Sequence, residues 1–227
     1  MRGKITIAAF FLLLFIFLIS LLSIKNDTLT FDEPAHIGAG YSYLIKNDYR
    51  LNPEHPPLAK DLAAFPLLFL KLNFPENHYS WQQKEPAAWW FQFDFGKELI
   101  YRANLKATEK IIFFSKTAMV LLLVFTGLYL FFWTKKIWGE KTALFTLFFF
   151  SFSPTFLAHG RLVTTDVAAS FGVILSTSFY LSFLKNIHSK KKPFFSGYWF
   201  GALAFNEVFP YFTLAIFFPY HYFIFYF

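Results

Sequence analysis

Long apolar runs alternate with polar segments along this chain, and their lengths predict its fold class. Apolar runs cover residues 5–24, 111–133, 142–158 and 167–184, and a less certain run begins near residue 194. An α-helix rises about 1.5 Å per residue, so roughly 20 such residues cross the core of a bilayer. The pattern therefore predicts an all-α integral membrane protein with about five transmembrane helices.

The first apolar run has flanks that also suit a signal peptide, with Arg2 and Lys4 before it. The run is longer than the apolar region of a typical signal peptide, and no cleavage site of small residues follows it. We therefore expect this segment to stay in the protein as a membrane anchor.

A long polar segment, residues 25–110, separates the first two runs and predicts a structured loop. Pro34 suits the first turn of a helix, which either Asp32 or Glu33 would cap. The three prolines of NPEHPP, residues 52–57, prevent a helix there and predict an extended turn.

A second helix of the loop should begin at Leu58, in the stretch LAKDLAAFPLLFLKL. This stretch is too short to span a membrane and is interrupted by Pro66, so we expect it to lie in the membrane interface or to dip back into it. An aromatic cluster farther along the loop is typical of side chains at headgroup level: Trp81, Trp89, Trp90, Phe91, Phe93 and Phe95.

Composition supports the membrane assignment, because 56% of the residues are hydrophobic, 24% are aromatic and only 15% are charged. Cysteine is absent, so neither a disulfide framework nor a thiolate metal site is possible.

The net charge of +7 is concentrated in a few short segments. These segments lie on one side of the membrane if successive spans cross it in opposite directions: Arg2 and Lys4; Lys135, Lys136 and Lys141; Lys185 and Lys190 to Lys192. Such loops stay cytoplasmic, which predicts a multi-pass plasma-membrane protein with a cytoplasmic N-terminus and the long first loop outside. The charge therefore reports topology, and we expect no nucleic-acid partner.

The acidic residues at the starts of two predicted helices have two interpretations. Asp32 and Glu33 could simply cap the helix at Pro34, and Asp166 in RLVTTDVAAS could cap another. Ionisable groups near a membrane are costly, however, and are candidates for function by default. On the predicted topology Asp32 and Asp166 lie at the same outer layer.

Three motifs together give a resemblance to a known family. FDEPAHIGAGYSYL, RLNPEHPPLAK and SPTFLAHGRLVTTDVAAS resemble bacterial and archaeal members of the protein O-mannosyltransferase-like, ArnT-like glycosyltransferases of the C-type fold. FGKELIYRANLKATEKIIFFSK is similar to the family's approach to its second span, and the likeness covers residues 28 to 204. The resemblance implies a multi-span enzyme that transfers a sugar from a polyprenyl phosphate to a hydroxyl on the outer face. The acceptor would be a protein, a lipid or a glycan, and membrane lipids would surround the enzyme.

The resemblance also implies roles for the acidic residues. Asp32 would be the general base, and Glu33 would cap the helix, orient its neighbour or hold a cation. Asp166 would position the acceptor or a metal. No cofactor is certain, although Asp32, Glu33 and Asp166 could together bind a divalent cation.

A departing phosphate requires cations, and guanidinium pairs two of its oxygens at once. Arg161 is the first candidate because it lies five residues before Asp166. Lys60 and His55 in the HPPLAK stretch are further candidates for substrate binding.

Other charged and titratable side chains have a simpler interpretation. Arg50, Arg102 and Lys116 are expected to extend toward lipid headgroups. His36 and His159 could be ligands, but we expect them to be structural, since isolated histidines usually are.

The C-terminal part of the chain does not look like the family. We divide the chain into a glycosyltransferase membrane domain, residues 1–205, and an aromatic-rich tail, residues 206–227, which suggests a truncated or frame-shifted reading. An inactive membrane fragment or scaffold therefore stays open, as does a fragment of a transporter. A transporter should carry ionisable groups at mid-span, whereas these acids cluster in outer loops.

Overall fold

A computed structural model of the protein describes residues 2–83 and 87–185. These residues form helices, turns and irregular segments, and the described part contains no β-strand. The predicted span near residue 194 and the predicted tail 206–227 lie outside the described residues.

The described part of the chain contains nine α-helices, in this order: α1 (Arg2–Ile24), α2 (Glu33–Lys46), α3 (Pro57–Ala64), α4 (Tyr79–Gln82), α5 (Gln92–Lys97), α6 (Thr108–Trp138), α7 (Glu140–Ser151), α8 (Pro154–His159) and α9 (Asp166–Lys185). Short 3₁₀ or π segments join several of them: Phe65–Leu70, Ala87–Phe91, Glu98–Arg102 and Leu105–Ala107. The contacts between residues divide the chain into two units, residues 1–168 and 169–227. The second unit is described through residue 185, as the continuation of α9.

Two of the described helices are long and apolar enough to cross a membrane. They are Gly3–Ile24, with a mean hydropathy of 3.0, and Leu105–Trp138, with a mean hydropathy of 2.1. Asp166–Ser182 is a shorter apolar helix. The described chain is therefore all-helical with two candidate membrane-spanning helices.

The prediction of one continuous helix over residues 142–158 is wrong. Helix α7 ends at Ser151, and α8 begins at Pro154 after a break of two residues. The cause is local, because proline has no N–H to donate and its ring clashes with the preceding turn. Pro154 therefore begins a new helix, the position proline favours.

The predicted helices of the polar segment are present. Helix α2 has Pro34 in its first turn and ends at Lys46, and its C-cap residue Asn47 adopts a left-handed conformation with φ of 53°. Helix α3 follows the NPEHPP turn and gives way to the 3₁₀ segment at Phe65, next to the interrupting Pro66. The sequence pattern thus located both of these helices.

Helix α2 is almost completely surrounded, and this burial fixes its first turn. It packs against α3 on one side and α5 on another. The contacts are close because of glycines: a Cβ at Gly40 would meet the backbone of Lys60, and a Cβ at Gly96 would meet the carbonyl of Pro34. Apolar side chains of this unit complete the core around α2, including Ile37, Leu51, Leu67, Phe95, Leu99 and Met119.

Candidate functional site

Four charged side chains meet where α1 ends and α2 begins, and we call them the charge cluster: Asp27, Glu33, Lys116 and Arg161. They come from the turn after α1, the first residue of α2, the middle of α6 and the segment between α8 and α9. Two carboxylates face two cations, so the cluster is formally neutral. Distant parts of the sequence are thereby joined at one place.

Glu33 is the most enclosed member of the charge cluster, with a side chain that is 0% exposed. One carboxylate oxygen accepts hydrogen bonds from the Thr30 backbone N–H at 2.6 Å and the Thr30 hydroxyl at 3.1 Å. The other accepts the backbone N–H of Val163 at 2.8 Å. Glu33 therefore ties the start of α2 to the segment that precedes Asp166.

Lys116 is also fully buried, and its ammonium joins the two acids of the charge cluster. Its Nζ lies 2.8 Å from Asp27 Oδ2 and 3.4 Å from Glu33 Oε2, and it donates to the Thr28 carbonyl at 2.8 Å. The interpretation of Lys116 as a side chain that extends to headgroups is wrong. The sequence offered a general signal, because a lone cation inside an apolar run usually has a partner, but it did not indicate which acid that partner is.

Asp27 was not identified from the sequence, yet it holds both cations of the charge cluster. Arg161 Nη1 donates to Asp27 Oδ2 at 2.9 Å and to the Ser23 carbonyl at 3.3 Å. Burial alone would raise the pKa of Asp27, but the Lys116 hydrogen bond and the charges of Lys116 and Arg161 outweigh it and lower that pKa. The Arg161 side chain remains 31% exposed, so it is the more accessible of the two cations in the charge cluster.

Asp32 differs from its neighbour Glu33, because it lies on the surface. It occupies the N-cap position of α2, but its side chain makes no capping hydrogen bond. Its carboxylate forms no hydrogen bond or ion pair with any residue in the described ranges 2–83 and 87–185. Capping therefore does not explain Asp32.

Asp166 is the first residue of α9, and its side chain is 59% exposed. It accepts a hydrogen bond from the Thr164 hydroxyl at 2.8 Å and lies 3.3 Å from His159 Nδ1. Its carboxylate is outside the charge cluster, three residues along the chain from the Val163 amide that Glu33 binds. The structure thus brings the two acidic motifs together through Glu33 rather than through Asp32.

Lys60 lies on α3 with its ammonium against the NPEHPP turn, and the residue is 1% exposed. Its ammonium donates to the Tyr43 hydroxyl at 2.8 Å and to the carbonyls of Asn52 and His55 at 2.7 Å each. These bonds hold the turn in shape. Lys60 therefore lies among protein oxygens and apart from the charge cluster.

The histidines of α2 and of the NPEHPP turn lie side by side. The rings of His36 and His55 have centroids 5.1 Å apart. His36 is 5% exposed, whereas His55 is on the surface. Burial, followed by the charges of His55 and Lys60, lowers the pKa of His36 to about 4.

Two further features bear on what the site could bind. Within the described residues, no group of three or more His, Asp or Glu side chains could hold a metal ion, so Asp32, Glu33 and Asp166 do not form one. An apolar groove of about 540 Å³ lies between α1 and α7, and its lining includes Phe11, Phe145 and Phe148 but no predicted site residue.

The chain was compared with known proteins in three ways. No protein-family model matches it, and neither the curated proteins nor the solved structures include a significant match.

Proposed function

We propose that the protein is a membrane glycosyltransferase that moves a sugar from a polyprenyl phosphate to a hydroxyl acceptor on the outer face of the plasma membrane. The observation that carries the proposal is the bond from the Val163 amide to Glu33, at 2.8 Å. It joins the acidic motif at the start of α2 to the RLVTTD motif before α9. Both motifs belong to the resemblance on which the proposal rests.

The two adjacent acids have separate tasks in this proposal. Neighbouring residues of a helix point about 100° apart, so one can face the interior while the other faces outward. Glu33 is buried and fixed by three hydrogen bonds and Lys116. Asp32 is left exposed and without a partner in the described part of the chain, on a first turn that Glu33 holds in place. An accessible carboxylate without a protein partner is free to accept the proton of a bound hydroxyl, which is what a general base must do.

The reaction then needs few protein groups. An acceptor hydroxyl oxygen attacks the anomeric carbon, the bond from that carbon to the phosphate oxygen breaks, and Asp32 takes the hydroxyl proton. The lipid phosphate leaves as an anion, which the partly exposed Arg161 side chain binds. Positive charge that develops on the sugar ring is stabilised by nearby carboxylates, as in glycoside hydrolysis. Asp166 lies at the acceptor side in this scheme.

The membrane topology is part of the same proposal. Helix α1, helix α6, the broken pair α7 and α8, helix α9 and the run near residue 194 would give about five crossings. The Arg161 contact with the Ser23 carbonyl supports a return of the chain to the Ile24 end of α1 after α8. The distribution of Lys and Arg favours a cytoplasmic N-terminus, and with that orientation the charge cluster would lie at the outer surface.

The test is a transfer assay with the purified full chain in lipid nanodiscs and radiolabelled polyprenyl-phosphate sugars. We expect transfer by the wild type and a loss of roughly 10²- to 10⁴-fold in Asp32→Asn. Glu109→Gln, which changes an exposed acid near the start of α6 that has no ion pair with the described residues, is the matched control and should retain activity. Absence of transfer by the wild type with protein, lipid and glycan acceptors would refute the proposed function, and an unchanged rate in Asp32→Asn would refute the base.

A further inference from the structure

His36 is a buried imidazole to which the proposed reaction gives no role. It lies in the first turn and a half of α2 with 5% of its surface exposed. Its Nδ1 atom is buried and has no hydrogen-bond partner among the described residues. Burial of an unpaired polar atom destabilises a fold, and structural histidines normally have partners. The expectation that His36 is structural is therefore not supported by its contacts.

The neighbours of His36 are also without partners. The His55 ring lies 5.1 Å away, and its ring nitrogens make no hydrogen bond with residues in the described ranges. Asp32 precedes His36 by four residues, so the two side chains lie on the same face of α2. By contrast, the Glu33 carboxylate and the Lys60 ammonium already form hydrogen bonds with protein groups. The uncommitted polar side chains thus converge beside the proposed base.

The charge state of His36 indicates which chemical group it suits. The titratable groups that face it are His55, Lys60, Asp32 and Glu54; the first two lower its pKa and the two acids raise it. Burial is the largest cause, and with it the pKa of His36 falls to about 4. The imidazole is consequently neutral at cellular pH and offers one donor and one acceptor. A neutral imidazole matches a hydroxyl better than it matches a phosphate, which cations bind.

We propose that His36 and His55, beside Asp32, form a subsite that binds the hydroxyl groups of a neutral sugar, while Arg161 binds the phosphate. The inference rests on the proposed function and deepens it, because it divides the donor between two parts of the site. It also assigns His55 to the sugar rather than to the phosphate. Because the site pairs hydroxyls, a ligand that lacks them should bind less tightly.

The experiment measures binding rather than turnover. Full-length protein in nanodiscs is titrated with bare undecaprenyl phosphate and with undecaprenyl phosphate that carries mannose, glucose or arabinose. We expect the wild type to bind at least one glycosylated lipid more tightly than the bare lipid. His36→Leu should lose that preference, roughly tenfold, without a change in affinity for the bare lipid. His36→Gln retains a donor and an acceptor and should keep part of the preference.

Thermal melting separates a binding role from a structural one. His36→Leu removes an unpaired buried nitrogen and should melt at the same temperature as the wild type or about 3 °C higher. The matched control is His78→Leu, because His78 has the partners Ser80 and Glu98; this variant should melt lower and bind normally.

Four results would overturn the subsite, and they can be told apart. A wild type that binds neither kind of lipid refutes the proposed function together with the subsite. A wild type that binds bare and glycosylated lipids equally refutes only the subsite. A His36→Leu variant that retains the preference, or that melts as low as His78→Leu, also refutes only the subsite.

Discussion

Replacement of Lys116 by methionine tests whether the charge cluster holds the two acidic motifs together. The substitution keeps an unbranched chain but removes the ammonium that joins Asp27 to Glu33 at 2.8 and 3.4 Å. Asp27 would retain Arg161 at 2.9 Å. Glu33 would retain its three hydrogen bonds while it stays buried without a cation.

The contacts that remain in Lys116→Met determine the expected loss in the free energy of unfolding. Removal of one partner from a buried ion pair typically destabilises a protein by about 3–5 kcal/mol, because an uncompensated charge stays buried. Since Glu33 and Asp27 keep their other partners, we expect a value near the lower limit, about 3 kcal/mol. The double variant Lys116→Met with Glu33→Gln removes both charges. Its loss in the free energy of unfolding should be about 1–2 kcal/mol smaller than the sum of the losses in the two single variants.

The assay is unfolding in mixed micelles, with helix content followed by circular dichroism. Lys110→Met is the matched control, since Lys110 lies on the same helix but is exposed. It should change the free energy of unfolding by less than about 0.5 kcal/mol. The reasoning is refuted if Lys116→Met costs no more than Lys110→Met, or if the double variant is simply additive.

Three further predictions concern packing, acid stability and topology. Gly96→Ala should destabilise the protein by roughly 1–3 kcal/mol because its Cβ overlaps a backbone carbonyl of α2, whereas Gly3→Ala has nothing within 4 Å and should be neutral in the same unfolding assay. The cations beside Asp27 outweigh burial and hold its pKa below the ordinary 3.8, so its stabilisation is present above that value and lost as the pH falls through the folded-state pKa. Melting temperatures of the wild type should thus fall more steeply in acid than those of Asp27→Asn; parallel curves contradict the assignment. Asn77→Cys should react with an impermeant thiol reagent in intact cells, and Lys141→Cys should react only after permeabilisation; the reverse pattern contradicts the proposed orientation.

The features that the sequence predicted well are those that proline and hydropathy determine locally. The start of α2, with Pro34 in its first turn, and the interruption near Pro66 depend on a ring that fixes φ and removes a donor. The same rule applied to Pro154, where a continuous apolar run concealed a helix break. Long apolar runs likewise predicted α1 and α6, since length and composition alone define them.

The features that the sequence did not reveal depend on contacts between distant segments. Asp27 and Lys116 are 89 positions apart, and no local sequence pattern indicates that they form an ion pair. Adjacency of Asp32 and Glu33 indicated that they face different directions, but only the position of the Val163 amide decides that Glu33 is the buried one. The unpaired state of His36 also becomes visible only when its neighbours are in place.

We propose that Asp32 and Asp166 border one site, and cross-linking in the membrane can establish whether they lie close together. The chain has no cysteine, so Asp32→Cys with Asp166→Cys creates a single reactive pair. Bifunctional thiol reagents with a spacer no longer than a sugar ring should link these two positions, and mass spectrometry would identify the link. The same reagents should fail to link position 32 to a cysteine at position 141. Absence of the short link between positions 32 and 166, with both thiols shown to be reactive, would contradict the account.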